Sequence, residues 1–133
     1  MKQTRYRKHA GGVSNLHLHF VWCPKYRRPV LVDTVAERLA VLLREKAAEL
    51  DCGIEALEVM PDHVHLFASV PPTEAPQHLA NQFKGYTSRV LRDEFPTLRS
   101  RLPSLWSRSY YVGSAGHVSA ETIRAYIGAQ KGR

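Results

Sequence analysis

The sequence predicts an α+β domain built on one antiparallel sheet, and three observations carry that prediction. The chain has 133 residues, 44% of them hydrophobic, which suits a single domain with a real core. Its apolar periodicity switches between two and 3.6 in the order strand, helix, strand, strand, helix, strand, helix. Finally, the run Met60-Pro61-Asp62-His63-Val64-His65-Leu66-Phe67 holds a two-residue turn signal that folds one strand back on another.

Taken in order, residues 1–12 carry Lys2, Arg5, Arg7 and Lys8 before Gly11-Gly12 and read as a flexible basic arm. Asn15–Cys23 alternates as a strand, with Leu16, Leu18, Phe20 and Trp22 on one side and His17, His19, Val21 and Cys23 on the other. Pro24 to Pro29 is a basic, aromatic loop. A helix capped by Asp33 or Thr34 runs to about Asp51, its core stripe being Val35, Leu39, Leu42, Leu43, Ala47 and Leu50. Ile54–Met60 and His63–Val70 form a hairpin that Pro71-Pro72 stops. A second helix spans about Ala75 to Phe95, with Leu79, Phe83, Tyr86, Val90 and Phe95 as apolar anchors. Residues 96–109 are broken by proline, and Tyr110–Gly113 is a short strand. Ser114–His117 is a turn, and Ser119 caps a last helix through Gln130. The first six elements match the ferredoxin-like (RRM-like) split β-α-β arrangement, in which the His63 strand lies beside the first strand in mid-sheet.

Successive strand side chains point to opposite faces, so His63 and His65 share one face while Val64, Leu66 and Ala68 share the other. Two residues along a strand is ~6.6 Å, close enough for two imidazoles to converge on one ion. His17 and His19 share a face of the neighbouring strand, which makes a four-histidine zinc site conceivable, although polar-face histidines more often bond backbone or water. Tyr126 and Gln130, four apart on the last helix, stack on one face. Two neutral imidazoles and an amide oxygen would leave a divalent cation, Mg²⁺ or Mn²⁺, its full charge for polarising a phosphate while a tyrosine oxygen attacks in line.

The charge points the same way. Lys and Arg number 19 against 12 Asp and Glu, a net +7, and arginine predominates, which favours bidentate phosphate contacts. Lys25, Arg27, Arg28, Lys84, Arg89 and Arg92 form a collective positive surface, expected to meet the phosphates of a nucleic acid. Cys23 and Cys52 form no Cys-x-x-Cys pair and read as reduced structural thiols. No stretch approaches the ~20 apolar residues of a membrane span, so a cytoplasmic protein with no membrane partner is expected.

In combination, His63-Val64-His65, Trp22-Cys23-Pro24-Lys25-Tyr26-Arg27-Arg28, Lys84-Gly85-x-x-Ser88-Arg89, Leu105-Trp106 and Tyr126-Ile127-x-x-Gln130 resemble the single-tyrosine HUH transposases, the TnpA group of bacterial and archaeal insertion sequences. The match spans nearly the whole chain after residue 13. The resemblance implies a ferredoxin-like fold with added helices in one domain over residues 1–133. It also implies a homodimer that cuts and rejoins single-stranded DNA with subterminal hairpins through a 5′-phosphotyrosine. By position, Tyr126 is the nucleophile, and His63, His65 and Gln130 hold the metal. The tyrosine helix can serve the partner's histidines in such proteins, so composite active sites are implied as well. A domesticated relative acting on chromosomal palindromes, a non-catalytic single-stranded nucleic-acid binder and a zinc-stabilised module are the competing expectations.

Overall fold

A computed structural model of the chain describes residues 6–114 and 120–133. Its framework is a four-stranded antiparallel sheet in the order β4-β5-β3-β6, made by β3 (His17–Trp22), β4 (Gly53–Met60), β5 (His63–Ser69) and β6 (Tyr111–Ser114). With α1 (Asp33–Glu49) after β3 and α2 (Pro76–Glu94) after β5, this is the expected α+β, ferredoxin-like order, and β5 is interior. A short α3 (Pro96–Ser100) and a terminal α4 (Ala120–Ala129) are added. Ser119, the expected cap of α4, lies outside the described residues.

Period-two alternation decides which face of the sheet is covered. Val64, Leu66 and Ala68 of β5 and Phe20 and Trp22 of β3 are fully buried against Leu39, Leu42 and Leu43 of α1 and Leu79, Phe83 and Leu91 of α2. Phe83 stacks on Trp22 and meets Phe20 edge-on. The opposite face carries His63, His65, Phe67 and His19. Cys23 and Cys52 are buried free thiols, and burial pushes them up to about 12 and about 11.

Three local expectations are revised. The basic arm pairs from Arg7 onward: β1 (Arg7–His9) and β2 (Gly12–Ser14) form a hairpin, and the Arg7 guanidinium donates to the Ser69 carbonyl and hydroxyl at 3.1 and 3.0 Å. Neither Asp33 nor Thr34 caps α1, where the Val32 carbonyl accepts from the Val35 and Ala36 amides instead. The buried face of α2 includes Lys84 and Thr87. Thr87 donates to the Phe83 carbonyl at 2.7 Å and accepts from the Trp106 indole at 3.0 Å, which draws residues 105–107 alongside 23–25. Among the described residues no helix is long and apolar enough to cross a membrane.

Candidate active site

Strand β5 supplies a fixed pair of imidazoles. The ring centroids of His63 and His65 lie 4.8 Å apart. Asp62, in the turn that starts the strand, accepts from His63 Nδ1 at 2.8 Å. A carboxylate can only accept, so that nitrogen carries a proton, and in the neutral tautomer this leaves the Nε2 lone pair for a metal. His65 Nδ1 lies 3.1 Å from Nε2 of His19 on the neighbouring strand. With the proton on His65 Nδ1, the His65 Nε2 is bare as well. His19 is 2% exposed, lies flat on the Phe67 ring at 3.9 Å between centroids, and its Nδ1 has no partner among the described residues. Burial, with His65 adding to it, takes His19 down to about 4, and burial followed by His63 lowers His65. Both rings are therefore neutral at physiological pH, the state in which imidazole binds a metal. Held in place by Asp62 and His19, the two bare nitrogens fit a divalent cation of the imidazole-accepting kind.

The imidazoles open into a cavity of about 500 Å³ lined also by Arg27, Ile123, Arg124, Ile127 and Gly128. Arg27 is aimed there by an unusual turn. Residues 25–27 make a single 3-10 turn in which Tyr26 and Arg27 both hold positive φ, at 59° and 53°. Such backbone costs of order 1–3 kcal/mol per residue and persists where surrounding contacts fix it. Here they do: Arg27 meets the Asp62 carboxylate at 3.2 Å and donates to the Ile127 carbonyl at 3.4 Å.

Tyr126 and Gln130 do share one face, as their spacing predicts, but that face looks at the 107–109 segment and neither residue lines the histidine cavity. The Tyr126 hydroxyl is 2.9 Å from Ser109 Oγ, and the Gln130 amide oxygen accepts from Ser107 Oγ at 3.1 Å. Gln130 is 2% exposed. Burial pushes the Tyr126 phenol up to about 12, with the Ser109 hydrogen bond pulling the other way. Within one chain the two halves of the predicted site are thus assembled separately: the serines satisfy the tyrosine and glutamine, while Ile123 and Ile127 of α4 line the histidine cavity. Rings bridge the gap: His19 meets Tyr111 edge-on at 6.4 Å, and Tyr111 lies 6.2 Å from Tyr126.

The zinc cluster does not assemble. His17 lies opposite Ser69, six residues or ~20 Å along β5 from His63, and its ring meets Glu55 and Asn15 at 2.7 and 2.6 Å. Among the described residues no group of three or more His, Cys, Asp or Glu is placed to hold a metal. The six basic positions also separate. Arg28 and Arg89 are exposed and Lys25 half-buried, whereas Lys84 is 9% exposed and donates to the Ser107 and Ser109 carbonyls at 2.8 and 3.0 Å. Burial lowers Lys84 to about 8. Arg92 reaches the Leu102 carbonyl at 3.3 Å. Residues given no site role by sequence are Asp62, Arg124, Ser107 and Ser109, while His19, grouped there with His17 as a conceivable zinc ligand, stands instead beside His65. Only Asp62 left a signal, its adjacency to His63.

Proteins similar to this chain in sequence and in fold are transposases. Residues 12–130 match the family model described as transposase IS200-like. The chain is 36% identical over 126 residues to the ISDra2 transposase TnpA of Deinococcus radiodurans, covering 93% of this chain and 90% of that one. It is 29% identical over 115 residues to the transposase for insertion sequence element IS200 of Salmonella typhimurium, covering 85% and 75%. A crystal structure of a candidate transposase from Deinococcus radiodurans R1 superposes with a TM-score of 0.88 at 35% identity, over 96% of this chain and 99% of that one. A REP-associated tyrosine transposase bound to a REP hairpin shares the fold, with a TM-score of 0.57 at 16% identity over 96% and 70%. The chain belongs to the IS200-like transposase family.

Proposed function

We propose that this transposase cuts and rejoins single-stranded insertion-sequence ends through Tyr126. The Tyr126 oxygen attacks the scissile phosphorus, loses its proton and forms a 5′-phosphotyrosine, while the bond to the 3′ oxygen breaks and that oxygen leaves as a 3′-hydroxyl. The ester keeps the energy of the phosphodiester, so the reverse attack by another 3′-hydroxyl rejoins strands without a nucleoside triphosphate. A phenol raised to about 12 is protonated at neutral pH, so its proton must leave as the bond forms. Arg27 and Arg124, which line the cavity beside the imidazoles, would take the non-bridging phosphate oxygens. His63, His65 and Gln130 would hold Mg²⁺ or Mn²⁺, and that ion, when bound, polarises the phosphate and stabilises developing charge.

The observation that carries this reading is the imidazole pair, fixed by Asp62 and His19, in a cavity shared with two arginines in a chain of this family. The protein works as a homodimer. Composite sites, in which α4 of one copy serves the histidines of the other, account for a tyrosine face turned away from its own imidazoles. Subterminal DNA hairpins are the substrate feature recognised, in keeping with the hairpin held by the REP-associated neighbour.

The test incubates labelled single-stranded ends with protein and Mg²⁺ or Mn²⁺, then looks on a denaturing gel for DNA that stays attached to protein. Tyr126→Phe is expected to bind the hairpin as before and form no adduct. Adduct persisting in that variant reassigns the nucleophile to Tyr110 or Tyr111. Chelation or His63→Ala is expected to stop cleavage at unchanged DNA affinity, and metal-independent cutting would refute the ligand assignment.

A further inference from the structure

A second cavity, of about 670 Å³, shares the Lys25–Arg27 turn with the histidine cavity: Arg27 lines one, and Lys25 and Tyr26 line the other. Its long wall is α2, and one residue there is unexpected. Gly85 sits in the middle of a 19-residue helix, where glycine costs roughly 0.5–1 kcal/mol relative to alanine. A Cβ built at this position meets nothing within 4 Å, so internal packing does not call for glycine. The same holds for Gly128, the helical glycine that lines the histidine cavity. Each cavity thus has a bare stretch of helix backbone where nothing in the chain comes near, the condition for close approach by something outside it.

The rest of the lining says what that is. Lys25 and Arg108 bring positive charge suited to phosphate. The Asn81 amide and the Ser88 and Ser104 hydroxyls offer both donors and acceptors, as the edge of a base requires. Tyr26, 40% exposed, presents a ring on which a base can stack. Lys84 also lines the cavity, and its two carbonyl bonds leave one of three ammonium donors. The volume suits a ligand the size of one nucleotide.

We propose that this cavity takes one unpaired nucleotide of the strand whose scissile phosphodiester occupies the histidine cavity, with the Lys25–Arg27 turn lying between the two. The inference rests on the strand-cutting reading and adds a protein pocket that chooses a base flanking the cut.

The test measures binding in the Tyr126→Phe background, where chemistry plays no part, with two oligonucleotides: a hairpin alone, and the hairpin extended through the cleavage site. Gly85→Leu fills the cavity, and its melting temperature is expected to match or exceed that of its parent. It should bind the hairpin alone normally and the extended strand about tenfold more weakly, close to the worth of one stacked base. Asn81→Ala, at an exposed position, should shrink the affinity differences among extended strands varied at single flanking bases. Unchanged affinity in Gly85→Leu together with unchanged base preference in Asn81→Ala overturns the proposal. If wild type then still forms the tyrosine adduct, the strand-cutting reading survives alone. If no adduct forms but Gly85→Leu still loses the extended strand, the pocket survives and the chemistry falls.

Discussion

Strand β5 and helix α4 carry the two halves of the candidate active site, and they are held in very different ways. β5 is laddered to a strand on each side, its apolar face is fully buried, and each of its site histidines has a polar neighbour at 2.8 or 3.1 Å. α4 meets the body through a few hydrogen bonds: the Tyr126 and Gln130 side chains on two serines, and the Ile127 carbonyl on Arg27. The imidazoles are therefore fixed by the fold itself, whereas the phenol is positioned by contacts each worth about 0.5–1.5 kcal/mol. The proposed strand transfer would gain from that division, because the part proposed to bind the phosphate stays in place while the part proposed to bond to DNA can move.

The contrast can be broken on the strand side first. Leu66→Ala, at a fully buried position on β5, is expected to lower stability by about 2–5 kcal/mol in a urea titration. A loss under about 1 kcal/mol would show that the strand is not anchored as described. A subtler blow is His19→Leu, which removes the ring beside His65 and a buried nitrogen without a partner. Isothermal titration with Mn²⁺ should show affinity reduced roughly 10–100-fold with little change in melting temperature, the pattern of a positioning residue, and unchanged affinity would free His65 from its neighbour. The smallest effect belongs to α4. Ser109→Ala should cost less than about 1 kcal/mol of global stability while hydrogen exchange in α4 speeds up, and equal exchange would mean that the serine does not hold the helix.

What the sequence made legible follows the same divide. The alternation of Val64, Leu66 and Ala68, the stripe of Leu39, Leu42 and Leu43 and the Pro61-Asp62 turn are set by short-range periodicity and turn chemistry, and they stand where expected. The common face of Tyr126 and Gln130 was legible for the same reason. Which way that face points was not, because serines from another segment decide it. Lys84 looked like a surface phosphate contact on its own helix, but two carbonyls more than twenty residues away draw it inward. His19 meets His65 across 46 residues of chain; strand parity and the predicted neighbouring strand put the two within reach, but only the register makes them touch. His17 was grouped with it on strand parity, yet the register places the two at different distances from the β5 pair.

The two cysteines have a practical consequence. A buried thiol held near 11 or 12 is almost wholly protonated at neutral pH and reacts slowly with alkylating reagents. A third cysteine introduced at exposed Ala125 on α4 would therefore take a fluorophore or spin label selectively, with the native pair left in place. Spectroscopy on that single probe, with and without oligonucleotide, would show directly whether the tyrosine helix moves.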